Sequence, residues 1–237
     1  MIEFLQGMGS LLLYYVVLVI AMLLLHKLVK VPDELFRKLL HLILLGSLPV
    51  VVYCFPTWQM AALASLGFAA VVYPALHLLE RWRGYAALLR QRKTGEIKQS
   101  LLLVFFMFAS IIAVCWGWLN DRALVLACIY AWGFGDAFAA LIGKRYGKHH
   151  ITGPRLNGKK TYEGSLSMFL VSLASVLIIL LLRGGLAWYA CVVIAAATAA
   201  ATTVVELYTT DGRDTLYCPF SAAAVLLPLV YLFGGLV

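Results

Sequence analysis

Eight stretches of about 20 mostly apolar residues follow one another along this 237-residue chain and leave room for little else. They fall at roughly 9–29, 38–55, 58–79, 100–119, 122–143, 165–183, 186–207 and 216–236. A helical run of that length matches the hydrocarbon thickness of a bilayer, about 30 Å. A helix also satisfies its own backbone hydrogen bonds where no water is available to do so. Composition points to the same solvent: 63% of the residues are hydrophobic and 13% are charged, against roughly 45–50% and about 25% in soluble domains. The predicted fold is therefore all-α and polytopic, a single integral membrane domain over residues 1–237. The expected count is about eight spans, or seven if one of them fails to cross. The weak one is 38–55, which is short, opens beside His41 and contains Pro49, features that also suit a kinked or re-entrant element.

Charge orients the eight spans. The first connection holds Lys27, Lys30, Arg37 and Lys38, and the third holds Arg81, Arg83, Arg90, Arg92, Lys93 and Lys98. The fifth holds Lys144, Arg145, Lys148, Arg155, Lys159 and Lys160, and the seventh adds Arg213. With only Arg122 and Arg183 opposite, 17 of the 19 basic residues fall on one side. The positive-inside rule then places those connections in the cytoplasm and both termini outside. The net charge of +8 reads as loops facing anionic headgroups, and no nucleic-acid partner is expected. The first span follows Glu3 with no basic residue before it, so it is read as a true span and not a signal peptide. Cys54, Cys115, Cys128, Cys191 and Cys218 form no CxxC pair and read as small buried hydrophobes. Trp58, Trp82, Trp116, Trp118 and Trp188 fall near predicted interfaces, as an aromatic belt would. His26, His77, His149 and His150 are given no chemical role.

Ionisable groups inside apolar runs need another explanation. Asp136 stands within Ala-Trp-Gly-Phe-Gly-Asp-Ala-Phe-Ala-Ala, near the cytoplasmic end of the fifth span. A charge there costs about 2.5–3.5 kcal/mol or more without a partner or a polar cavity. By itself the residue suits an interhelical hydrogen bond, a proton relay or a cation ligand. Gly143 and Gly147 follow at small-xxx-small spacing, which suits close helix packing. Beyond them lies Arg155-Leu-Asn-Gly-Lys-Lys-Thr-Tyr-Glu-Gly-Ser165. Gly153, Pro154, Asn157 and Gly158 favour turns and let the backbone approach a ligand. Lys159 and Lys160 offer point charges to phosphates, and Thr161 adds a hydroxyl and an N–H. Glu163 is a carboxylate among six basic residues, available to a lysine or a hydrated metal.

Taken together, Gly135-Asp136-x-x-Ala139-x-x-x-Gly143-x-x-x-Gly147 and Lys159-Lys160-Thr161-x-Glu163-Gly164-Ser165 resemble a CTP-binding signature. That signature belongs to the CTP-dependent lipid kinases (dolichol, phytol and polyprenol kinases) within the phosphatidate cytidylyltransferase-like superfamily. The nucleotide element spans 135–165, with supporting elements at 37–41 and 206–219. Arg37-Lys38-x-x-His41 resembles the Arg-Lys-x-x-His element of the kinases. Glu206 followed by Asp214-Thr215-x-x-x-Pro219 is similar to their C-terminal element, with Thr215 where Asn is common. The cytidylyltransferases carry a His-Gly-Gly stretch that this chain lacks, and the chain is short for that branch.

The resemblance implies a transferase that uses Mg²⁺ and takes CTP as phosphoryl donor to a membrane lipid alcohol, of prenol or diacylglycerol type. It implies catalytic roles for Asp136, Lys160, Glu163 and Asp214. Nucleotide contacts would come from Gly143, Gly147, Lys159, Lys160, Thr161, Gly164, Arg37, Lys38 and His41, and metal ligands from Asp136, Asp214 and Glu206. Asp136, Glu206 and His41 are the candidates for general base. The expected setting is a lipid membrane, the cytoplasmic one in a bacterium, with the site facing the cytoplasm. Association with further copies of the chain is left open. Two other readings stand beside this one: a phosphatidate cytidylyltransferase making a CDP-lipid, and a proton-coupled secondary transporter relaying through Asp136 and Glu206.

Overall fold

The computed structural model describes residues 2–80, 95–153, 156–209 and 212–235, apart from the side chains of His26, Glu96, Asn157 and Lys159. Among these are eight helices long and apolar enough to cross a membrane. In chain order they are α1 (Ile2–Leu28), α2 (Asp33–Tyr53), α3 (Trp58–Leu79), α4 (Glu96–Ile111) running on as a π-helical turn (Ile112–Trp118), and α5 (Arg122–Tyr146). A two-stranded hairpin follows, β1 (His150–Gly153) and β2 (Leu156–Thr161), and then α6 (Tyr162–Arg183), α7 (Trp188–Tyr208) and α8 (Asp214–Leu232). The eight expected runs thus appear as eight helices. The basic residues from Arg81 to Lys93, and Arg155, lie outside the described residues.

Two expectations change. The second run is not broken: α2 is a continuous 21-residue helix that contains Pro49. It gains length at its polar start, where Asp33 and Glu34 occupy the first turn, as suits the positive end of a helix. Arg37 pairs with Glu34 at 2.8 Å one turn away. An apolar-run criterion discards that turn, although its backbone is helical. The chain is also not purely α-helical. The antiparallel hairpin pairs His150 with Thr161, Thr152 with Asn157 and Gly153 with Leu156, with an irregularity between His150 and Thr152. Its strands are too short and polar to show an alternating pattern.

Residues 1–113 and 114–237 form two compact units. In the first, Tyr14 donates to the Ile43 carbonyl at 2.7 Å and Tyr15 to Ser47 Oγ at 2.8 Å, tying α1 to α2. Tyr15 also stacks on Phe68, 4.7 Å between ring centres, and Phe68 meets Phe105 at 5.1 Å. Lys98 at the start of α4 pairs with Glu80 beyond α3 at 2.6 Å.

In the second unit α5 and α6 cross on small residues. A Cβ at Gly135 would fall 2.5 Å from Ser172 Oγ, whose hydroxyl donates to the Ala131 carbonyl. One turn from the end of α5, a Cβ at Gly143 would stand 3.1 Å from Thr161 Oγ1, and one at Gly164 would stand 3.0 Å from the Ala139 carbonyl oxygen. Backbones this close are how helices gain packing energy in lipid, where burial of apolar surface drives little.

Candidate functional site

The site forms at one end of the second unit, where α5 and α7 finish and α6 and α8 begin. Thr161 caps α6: its hydroxyl accepts the Gly164 N–H at 3.2 Å, satisfying one of the orphan donors of the first turn. The threonine is buried, and it fills the space left by the absent side chains of Gly143 and Gly147. A Cβ at Gly147 would approach Thr161 Cγ2 to 2.7 Å and the Gly143 carbonyl oxygen to 2.2 Å. These glycines therefore allow the hairpin to seat on α5.

That seating delivers Lys160. Its ammonium donates to Glu206 Oε1 at 2.6 Å, to the Glu206 carbonyl oxygen, and to the Thr209 carbonyl oxygen at 3.2 Å. The Glu206 carbonyl also accepts the N–H of Thr209, the C-cap, at 3.1 Å, and the carbonyls here are the negative end of α7. A cation there answers that charge. An ammonium has three donors, and Lys160 has three acceptors.

Two further carboxylates converge on the same place. Trp132 Nε1–H donates to Asp214 Oδ2 at 3.3 Å, fixing the first residue of α8 against α5. Trp132 and Asp136 are four residues apart on α5 and so share a face. Asp136 and Asp214 both lie close enough to Glu206 for their charges to act on it, and the charges of Asp136, Lys160, Glu206 and Asp214 all reach Cys218, one turn into α8. Among the described residues no group of three or more His, Cys, Asp or Glu side chains could hold a metal ion.

The other sequence-predicted residues are placed differently. Glu163, on the first turn of α6, turns to the base of the hairpin: Oε1 is 2.7 Å from His149 Nδ1, and the His149 N–H reaches both carboxylate oxygens at 3.3 and 3.4 Å. The Tyr162 N–H donates to the His149 carbonyl at 3.0 Å beside it. His149, given no role from sequence, is thus Glu163's partner. Lys159 stands on β2 with its side chain outside the described ones. Arg37, Lys38 and His41 lie on α2 in the first unit, where Lys38 is buried and Arg37 is engaged by Glu34. Trp132 was missed as well. The available signal was a tryptophan four residues before an intramembrane acid, with an indole N–H that needs an acceptor when buried.

Eight such helices are compatible with an integral membrane protein. The chain matches no family model, no curated protein and no solved structure.

Proposed function

We propose that this protein is a CTP-dependent lipid kinase of the bilayer, transferring the γ-phosphoryl group of CTP to a membrane lipid alcohol. The observation that carries the proposal is that Asp136 and Asp214, from two further helices, lie close enough to the Lys160–Glu206 pair for their charges to act on Glu206. Acids brought together at the end of an apolar bundle are groups that a hydrated cation can answer. The cluster also adjoins the basic hairpin whose sequence resembles a CTP-binding signature.

The donors are hard carboxylate oxygens, which suit Mg²⁺, and this ion asks for one or two carboxylates completed by phosphate oxygens and water. Asp136 and Asp214 would hold the ion, with Glu206, already engaged by Lys160, as the third acid. Bound there, Mg²⁺ would offset the charge of the triphosphate, which is most of what phosphoryl transfer requires. The chain's own part is to fix Asp214 through Trp132, to hold Glu206 through Lys160, and to accept a proton at a carboxylate of the cluster. The acceptor hydroxyl oxygen bonds to the γ-phosphorus, the bond from that phosphorus to the β,γ-bridging oxygen breaks, and CDP leaves. Phe138 on α5 and Tyr217 and Phe220 on α8 are exposed and would face lipid in a bilayer. In the topology set by the basic connections, this end faces the cytoplasm, where CTP is found, and both termini lie outside.

The test is purified protein in detergent with labelled CTP or ATP, Mg²⁺ and a panel of prenols, diacylglycerol and phosphatidic acid. CDP and a lipid phosphate are the expected products. Pyrophosphate and a CDP-lipid would instead establish the cytidylyltransferase, and absence of any nucleotide turnover across the panel would overturn the proposal.

A further inference from the structure

We infer that Lys160 is a positioning residue for Glu206 and the end of α7, and that it does not bind the nucleotide phosphates. This inference rests on the reading of the cluster as a CTP site and assigns one of its cations a different task. The first support is donor saturation: the ammonium has three hydrogens, and the Glu206 carboxylate, the Glu206 carbonyl and the Thr209 carbonyl take all three. A phosphate oxygen could recruit this group only by displacing one of them. The second support is the nature of the acceptors. Two are carbonyls at the C-terminus of a helix, a place that favours a cation whether or not a ligand is present.

The third support is how the residue arrives. Thr161, its neighbour, is locked as the buried cap of α6 and packs against Gly143 and Gly147. Lys160 is therefore the last strand residue before a fixed point, 46 residues from the carboxylate it holds. It joins the hairpin to α7 and sets where the Glu206 carboxylate points. Charge assistance makes this contact stronger than a neutral hydrogen bond, so removing the lysine leaves a nearly buried carboxylate without the partner that orients it.

The experiment compares Lys160→Ala, Lys160→Arg, Glu206→Gln and the double variant Lys160→Ala/Glu206→Gln, each as the full chain in detergent. Thermal unfolding is read first and needs no activity. Lys160→Ala is expected to lower the melting temperature, and Glu206→Gln in the same chain is expected to recover much of that loss, because the stranded charge is gone. Simple additivity of the two changes would overturn the inference. Kinetics supply the second readout. Lys160→Ala should lower kcat by about a hundredfold, the scale of a mispositioned group, with KM for CTP within about twofold, and Lys160→Arg should recover part of kcat. A lysine bound to phosphate would instead raise KM for CTP by about tenfold or more when removed, and that result would also overturn the inference. If wild-type protein turns over no nucleotide, the proposed function fails while the unfolding cycle still decides the role of Lys160.

Discussion

The two ends of the second unit use the same device to opposite effect. At one end Arg183, closing α6, donates from Nε to Asp121 Oδ2 at 2.5 Å, from Nη1 to the Gly184 carbonyl at 3.1 Å and from Nη2 to the Gly235 carbonyl at 2.5 Å. Asp121 in turn caps α5, accepting from the N–H groups of Ala123 and Leu124 at 2.9 and 3.2 Å. Arg122 lies over the Trp116 ring, 4.0 Å from its centre. At the other end Lys160 bridges Glu206 and the carbonyls that finish α7 in the same manner. Both are a long cation tying a carboxylate to helix-terminal carbonyls. The difference is the setting. The Arg183 network ends on Asp121 and two backbone carbonyls, whereas beside the carboxylate that Lys160 holds, Asp136 and Asp214 lie close enough for their charges to act on it. The first arrangement reads as a fastening, and the second is the one our proposal reads as a cation site.

The sharpest way to break this contrast is Asp136→Asn. Mg²⁺-dependent turnover of CTP should fall on the order of a thousandfold, the scale of losing several kcal/mol of charge stabilisation, while the protein keeps its elution profile and its unfolding transition. Wild-type-like turnover would remove the metal assignment from this end. Next in size is Asp121→Ala at the opposite end. Loss of a cap together with a largely desolvated ion pair should cost about 3 kcal/mol of stability in a detergent unfolding titration, with turnover per folded molecule unchanged. A fall in kcat at constant folded fraction would mean that the two ends are not separable. Gly164→Ala probes the seam between them: its Cβ would stand 3.0 Å from the Ala139 carbonyl oxygen, so about 2 kcal/mol of destabilisation is expected from overpacking, read by the same titration. The smallest effect should come from Trp132→Phe, which keeps the ring and deletes the N–H that binds Asp214. About 1.5 kcal/mol is expected for a hydrogen bond to a charged group, appearing as a rise of about tenfold in the Mg²⁺ concentration that gives half-maximal turnover. An unchanged Mg²⁺ dependence would detach Trp132 from the site.

The helices were legible because lipid forces long apolar runs, and that signal survives without tertiary information. Asp136, Glu206 and Asp214 were legible for the converse reason, each being an acid within or at the edge of such a run. The start of α2 was hidden because hydropathy cannot distinguish a polar helical turn from a loop. The hairpin escaped because Ile151 and Leu156 are its only large apolar residues, so nothing alternates visibly. Pairings across many residues were the least legible. Lys160 with Glu206, His149 with Glu163 and Arg183 with Asp121 each depend on which helix ends meet, and a sequence without its fold does not say. Its neighbours in sequence suggest a phosphate ligand in Lys160; the acceptors that the fold adds come from the end of a helix that begins 28 residues later.

The closed base of the hairpin has a consequence for how the chain could be cut. His149 and Tyr162 are joined there by a backbone hydrogen bond, and Glu163 clamps His149 from the same side. β1 and β2 are held to each other along their length, while α5 and α6 grip one another through Gly135, Gly143 and Gly164. Continuity of the peptide between the strands adds little to that grip. Two separately synthesised pieces, one ending after β1 and the other beginning with β2, would divide these paired surfaces between them, with Asp136 on the first and Lys160, Glu206 and Asp214 on the second.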